Sequence, residues 1–200
     1  MSQFEQLKDK ISKEAGISSE EIKVWITGDT HLGSQRVLEL SKRPFISVTE
    51  MNHRTICNWN TLVHKNDIVI HIGDFGEYEY SKELNGHVVL LLGNYERNDI
   101  KTNKVTLDSL KSDYNFSLVL DQSRYYIKVN GKSYNIVHEP SNQKNNRFNL
   151  FGHIHKLQMV KRNGLNVGVD CHNFYPIDFD TVEFYKQSIK KHYDEEVFGY

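Results

Sequence analysis

Three apolar runs in the first half of this chain each stop at a glycine, and each glycine precedes a residue able to bind a metal ion. Ile22 to Thr27 (IKVWIT) runs into Gly28-Asp29-Thr30-His31, Asp67 to Ile72 (DIVIHI) into Gly73-Asp74, and His87 to Leu92 (HVVLLL) into Gly93-Asn94. Short apolar runs bounded by glycine read as buried strands. Between the first two, Ser47 and Glu50 form a capping-box signal for a helix running to about His64. Strands alternating with helices imply a parallel or mixed sheet covered by helices, and ligands of such sheets gather outside the carboxyl ends of the strands. All three motifs fall at that edge.

The remaining segments frame this core. Phe4, Leu7 and Ile11 share one face of an amphipathic helix over Phe4 to Glu14, with Gly16 as its stop. Asp99 to Tyr114 reads as partly helical. After it the pattern changes: Phe116 to Leu120, Arg124 to Val129 and Ser133 to Val137 are strand-like, and Asn130-Gly131 is a strong hairpin signal. His138 follows the second hairpin strand, and Phe148 to Phe151 leads into Gly152-His153-Ile154-His155. Asn166 to Val169 reads as a further strand. Asp180 and Glu183 open a final amphipathic helix to about Tyr193. The second half therefore reads as a second, largely antiparallel sheet. The expected fold class is α/β (α+β), a β-sandwich flanked by α-helices, in one domain over 1–200 with a helical extension over 1–20 and a C-terminal helix within 179–200.

Two hundred residues suffice for a real core. The formal net charge of −1 gives no broad electrostatic footprint for nucleic acid or an anionic membrane. Two cysteines, Cys57 and Cys171, make neither a disulfide framework nor a thiolate zinc site. Met1 to Glu21 has no apolar signal core, and the run Val88 to Leu92 is too short to span a bilayer. The expectation is a cytoplasmic protein without a membrane partner; the oligomeric state is open.

Asp-x-His and His-x-His at strand ends can bring two ligands to neighbouring positions, and the glycines at 28, 73, 93 and 152 permit close approach of the backbone. Carboxylate and imidazole without thiolate favour Mn, Fe, Co, Ni or Zn over Mg or Ca. A carboxylate able to bridge two ions lets them lower the pKa of a shared water and hold both oxygens of an in-line displacement. Asp29 and Asp74 would set about two negative charges against roughly four positive ones, leaving a site that draws phosphate. A single histidine is more often a satisfied core or surface residue, and that reading applies to His53, His64, His87, His172 and His192. His71, just before Gly73-Asp74, reads as structural or as a support to the ligands. Five ligand-type clusters in order, each behind a strand, point instead to a dinuclear metallohydrolase.

The ordered set Gly-Asp-x-His, Gly-Asp, Gly-Asn, His and Gly-His-x-His resembles the calcineurin-like metallophosphoesterase superfamily. The resemblance spans Val24 to Ile177. It includes the Arg43-Pro44-Phe45 loop, the Asn58-Trp59-Asn60 segment and Asn166 to Pro176 (NVGVDCHNFYP), which is similar to the small bacterial and phage-type members. It implies a metallophosphoesterase-like β-sandwich of two mixed sheets flanked by α-helices, with two divalent transition-metal ions (Mn, Fe, Ni or Zn). By motif, Asp29, His31 and His155 would hold one ion, Asn94, His138 and His153 the other, and Asp74 would bridge them.

One position departs from the family pattern. Gly-Asn is usually followed by a histidine that contacts the substrate phosphate, whereas this chain reads Gly93-Asn94-Tyr95-Glu96. Tyrosine, with an ordinary pKa near 10, is a poor proton shuttle at neutral pH but can donate a hydrogen bond to a phosphoryl oxygen. The resemblance implies a phosphoric ester hydrolase, with phosphodiesters or nucleotides preferred and Asp74, Asn94 and Tyr95 at the reacting centre. The alternatives are a phosphomonoesterase or nucleotide pyrophosphatase, or a catalytically weak binding module of the same fold. Arg97, Arg36, Lys144 and Arg147 are the candidate phosphate contacts, against a background in which exposed Lys and Arg are the norm.

Overall fold

A computed structural model of the protein describes residues 2–191; residue 1 and residues 192–200 lie outside it, and with them His192 and the end of the expected C-terminal helix. The first helix, α1 (Gln3–Ala15), is capped at Ser2 and ends on Gly16 in the left-handed conformation (φ 66°). The first sheet holds β1 (Val24–Thr27), β2 (Ile68–His71), β3 (His87–Leu91), β4 (Phe116–Leu120) and β10 (Ile177–Asp178), in the order β10-β1-β2-β3-β4. Strands β1 to β4 run parallel, and β10 pairs antiparallel with β1. The connections carry α2 (Gln35–Leu40), α3 (Val48–Leu62), α4 (Asn94–Lys101) and α5 (Leu107–Ser112).

Both faces of this sheet are buried, which explains its nearly continuous apolar strands. Alternate residues serve different cores. Ile26, Ile70, Val89 and Leu91 face the second sheet, while Trp25, Val69, Val88 and Leu90 pack with Trp59 of α3 and Leu110 of α5. Each fully buried Leu or Ile contributes about 1.5–3 kcal/mol relative to exposure.

The second sheet holds β5 (Arg124–Val129), β6 (Lys132–Val137), β7 (Asn149–Phe151), β9 (Gly164–Asn166) and β8 (Val160–Lys161), in that order. Asn130 and Gly131 both have positive φ (50° and 76°), as a two-residue hairpin turn requires. Here the expectation of a largely antiparallel sheet is corrected. Hairpins β5-β6 and β8-β9 are antiparallel, but β6-β7 and β7-β9 are parallel. Long returns, through 138–148 and 152–163, bring the chain back to start each strand at the same end. The sandwich is thus made of two mixed sheets.

Three further boundaries differ from expectation. The strand expected at Asn166 to Val169 lies earlier, at Gly164–Asn166, because the chain turns at Gly168 into a short 3-10 turn, Val169–Cys171. Glu50 does not complete a capping box: Ser47 Oγ accepts the Glu50 N–H, but the Glu50 carboxylate takes the N–H of Ile46. The last helix, α6 (Phe179–Lys191), is capped by Asp178, whose carboxylate accepts the Thr181 N–H at 2.8 Å. Among the described residues, no helix is long and apolar enough to cross a membrane.

Glu183 ties α6 to the second sheet. Its carboxylate accepts from Lys132 Nζ (2.8 Å), Tyr134 Oη and Lys186 Nζ (2.9 Å). Partial burial raises its pKa, but these three donors outweigh that and lower it from 4.5 to about 2. A lowered carboxylate pKa stabilises the fold above the unfolded value, and the contribution disappears as pH falls through the folded one. Glu183→Gln is therefore expected to cost about 1–2 kcal/mol at pH 7. Its deficit against wild type should shrink between pH 4.5 and about 2, as read by denaturant titrations across that range.

Candidate metal centre

The parallel registers bring both sheets to one edge. Thr27 pairs with His71, and His71 with Leu90, so β1, β2 and β3 end side by side. Asn135, Asn149 and Gly164 are likewise in register, so β6, β7 and β9 release His138, Gly152 and Gly168 together. Backbone hydrogen bonds hold each edge, Asp29 N to Gly73 O (2.9 Å) in the first sheet and Gly152 N to His138 O (3.0 Å) in the second, and Val169 N to Gly28 O (3.0 Å) joins the two.

Two groups of ligand-type side chains converge there, Asp29 with His31 and His155, and Asp74 with His138 and His153. Within each group the donor atoms all lie within 4.8 Å of one another. Asp74 Oδ2 lies 3.6 Å from His31 Nε2 and 3.4 Å from His138 Nε2, so one carboxylate oxygen faces both groups. Asn94 Oδ1 lies 2.9 Å from His138 Nε2 and 3.0 Å from His153 Nδ1. Donors held at about 2.1 Å from one ion at right angles are about 3 Å apart, which is the spacing of Asn94 Oδ1 from its two histidines.

Several orientations suit lone pairs aimed inward. His138 donates Nδ1–H to Ile72 O at 2.9 Å, leaving Nε2 free to face the cluster. His155 donates Nδ1–H to Asp170 Oδ2 at 2.8 Å, with the same consequence. His31 is 1% exposed, and neither of its ring nitrogens has a hydrogen-bond partner. Orphaned buried polar atoms are rare and costly, and a cation between His31 and its neighbours would satisfy one of these two nitrogens. The residues present therefore fit a pair of divalent ions.

The backbone is bent to make this possible. Ten non-glycine residues among those described have positive φ, and five of them are Asp29, His31, Asp74, His153 and His155. Each left-handed residue costs about 1–2 kcal/mol, and such strain concentrates at functional sites. The chain also approaches the carboxylates closely. A methyl group at Gly152 would overlap Asp29 Oδ2, and one at Gly93 would overlap Asp74 Oδ1.

The electrostatics are those of carboxylates without enough cations. Asp29 is fully buried and accepts His153 N–H at 2.9 and 3.0 Å; burial raises its pKa to about 6, despite the attraction of His138. Burial lowers His31 to about 3, against the pull of Asp74. Burial also opposes charge on His138, but its contact with Asp74 and the Asp29 charge prevail and raise it to about 9.

The sequence reading gives His71 a supporting role but none to Arg43, Asp170 or Glu96. Arg43 makes a two-pronged, buried ion pair with Asp170, Nε to Oδ1 at 3.0 Å and Nη2 to Oδ2 at 2.8 Å. The same guanidinium holds the carbonyls of Asp29 (2.6 Å) and Thr30 (2.7 Å). One arginine thus fixes the first ligand loop and, through Asp170, the ring of His155. Glu96, 0% exposed, accepts N–H bonds from Gly93 (2.8 Å), Asp74 (2.9 Å) and Phe75 (2.8 Å). It locks the Gly-Asp loop to the start of α4, whose Tyr95 N–H meets Asp74 Oδ1 at 3.0 Å. His71 is structural: Nδ1 accepts from Gly73 N, Nε2 donates to Thr30 Oγ1, and burial keeps it neutral with a pKa of about 3.

The candidate phosphate contacts separate. Arg36 reaches the rim, where Nη1 donates to Tyr95 Oη at 3.3 Å, and the Tyr95 ring stands edge-on to His31. Arg97 borders a cavity of about 210 Å³ with His138, but its guanidinium is tied to the carbonyls of Leu92, Asp121 and Gln122. Lys144 and Arg147 sit at the opposite end of β7. Arg147 stacks on Tyr126 at 4.4 Å, and neither residue is brought to the cluster.

No family model matches the chain. An uncharacterized protein of Methanocaldococcus jannaschii is 26% identical over 178 residues, covering 80% of this chain and 89% of that protein. A protein of unknown function from Aquifex aeolicus has a similar fold, with a TM-score of 0.60 at 17% identity over 82% of this chain and 98% of that one. The E. coli phosphoesterase YfcE aligns with a TM-score of 0.35 and 14% identity over 74% of this chain and 78% of that one, too slight a likeness to establish a shared fold.

Supports of this kind typically carry 10–100-fold in metal affinity. Asp170→Asn keeps an oxygen for His155 but leaves the Arg43 charge unpaired. Manganese affinity, measured by chelator competition, is expected to fall about 10–100-fold. The melting temperature of the metal-free protein should fall as well, because a buried charge is left uncompensated.

Proposed function

We propose that the protein is a dinuclear metal-dependent phosphoesterase that prefers phosphodiesters, nucleotide esters among them. The observation that carries this reading is Asp74, whose single oxygen faces both ligand groups while the buried His31 nitrogens have no other partner. Bound divalent ions would supply Lewis acidity and an ionised water at neutral pH.

The chain's own residues supply the rest. Asp29, His31 and His155 form one donor set, and Asn94, His138 and His153 the other. Asp74 joins them, with Oδ1 restrained by the Tyr95 N–H. The hydrolysis forms one P–O bond from water, breaks the bond to the leaving oxygen and delivers a water proton to the departing alcohol. Tyr95 Oη and the Arg36 guanidinium are the donors placed to stabilise charge on an oxygen at this rim. Tyr95 takes the position of the family histidine, and the loss of a general acid, typically ~10²–10⁴-fold, weighs most on poor leaving groups. Substrates with acidic leaving groups are therefore favoured.

Metal-stripped protein reloaded with manganese, nickel or zinc should cleave bis-p-nitrophenyl phosphate faster than p-nitrophenyl phosphate. Asp74→Asn should lose at least about 100-fold in kcat. Full activity in that variant would overturn the mechanism. Two bound ions with no turnover of any phosphoester would favour a binding module instead, a reading for which the Tyr95 replacement is the motive. Tyr95→Phe should slow alkyl esters more than p-nitrophenyl esters, as read from kcat on matched substrates.

A further inference from the structure

Beside the two ligand groups the surface turns apolar. A groove of about 460 Å³ is lined by Leu40, Ser41, His153, Ile154, His155 and Leu157. Leu157 is 86% exposed and Leu40 67% exposed, two of the few large apolar side chains left in the open. No carboxylate, lysine or arginine lines the groove. Its only polar side chains are the Ser41 hydroxyl and the imidazoles that also line the metal centre.

The walls are built rather than loose. One is the end of α2 at Leu40 and Ser41, and the other is the turn 154–157. Lys156, which does not line the groove, ties the turn to the chain after α2 through Nζ to Lys42 O at 3.2 Å. The turn is pinned from behind, where the Asn166 amide donates to His155 O (2.7 Å) and Gln158 O (3.1 Å) and Cys171 Sγ to His155 O (3.4 Å). Exposed apolar side chains clustered at a concave site mark ligand binding.

We infer that this groove holds the ester group that stays on the phosphate, and that this group is apolar and uncharged, aryl or alkyl. The inference rests on the phosphoesterase reading. A diester offers two oxygen-linked groups with different needs. The departing oxygen gains negative charge as its P–O bond breaks and belongs beside donors, which the Tyr95–Arg36 rim provides. The retained group gains no charge, and its burial against Leu40, Ile154 and Leu157 removes apolar surface from water. The products are then a phosphomonoester of the apolar alcohol, held in the groove, and the free leaving alcohol.

Two diesters with the same leaving group test this: bis-p-nitrophenyl phosphate and methyl p-nitrophenyl phosphate, with the full manganese-loaded chain. The quantity read is the ratio of their kcat/KM values, and its change between variants cancels intrinsic reactivity. Leu40→Ser and Leu157→Ser together should lower the aryl-over-methyl ratio roughly tenfold, mainly through the KM of the aryl ester, and Leu157→Met should keep it. These side chains are exposed, and melting temperatures should match wild type. Hydrolysis of both esters with a ratio unchanged in the double variant would overturn the groove alone. Hydrolysis of neither by the metal-loaded wild type would overturn the phosphoesterase reading and the groove with it.

Discussion

The buried carboxylate of Asp29 is the tie on which the rest of the site depends. It sits at the end of β1 in the first sheet, yet its oxygens accept the N–H of His153 from the second. Its own N–H goes to Gly73 and its carbonyl to Arg43. Gly73, Arg43, His153 and Val169 are each one bond from this residue or its immediate neighbours. A carboxylate at 0% exposure with no direct cationic partner is unfavourable. The rise of its pKa to about 6 is the measure of that. A bound cation relieves the same imbalance that the fold creates.

That imbalance accompanies deliberate distortion. Five ligand-type residues hold left-handed backbone, and two glycines approach carboxylates too closely for any side chain. The surrounding structure over-determines these conformations. Arg43 grips two carbonyls and Asp170, and Glu96 collects three N–H groups from two loops. The unsatisfied His31 ring belongs to the same pattern, since stability is yielded where a bound cation would restore it.

The rim around the centre has two chemical faces. Tyr95 and Arg36 are hydrogen-bond donors. The groove of Leu40, Ile154 and Leu157 offers dispersion and nothing to a charge. A diester bound as proposed would have its two ester groups sorted by polarity, which is how a site with few specific contacts discriminates between substrates.

Much of this was legible in the residues. The apolar runs ending in glycine located three parallel strands and their common edge, and the ligand types behind them are the ones that converge. The Asn130-Gly131 turn was legible because its φ values demand those residues. What the sequence could not show was anything carried by long-range pairing. The parallel order of β6, β7 and β9 depends on the long returns through 138–148 and 152–163, and it delivers His138, His153 and Asp170 to one place. Arg43 and Asp170 are 127 positions apart, and although both lie in segments the resemblance covers, nothing in either segment shows that they pair. Glu96 reads as a surface acid at a helix start until two loops fold over it. The sequence by itself determined which residue types stand at strand ends, because strand and turn preferences are local. Which of them converge, which hold them in place and where the rim is apolar were decided only by the packing of one sheet edge against the other, because contacts between distant segments leave no local trace.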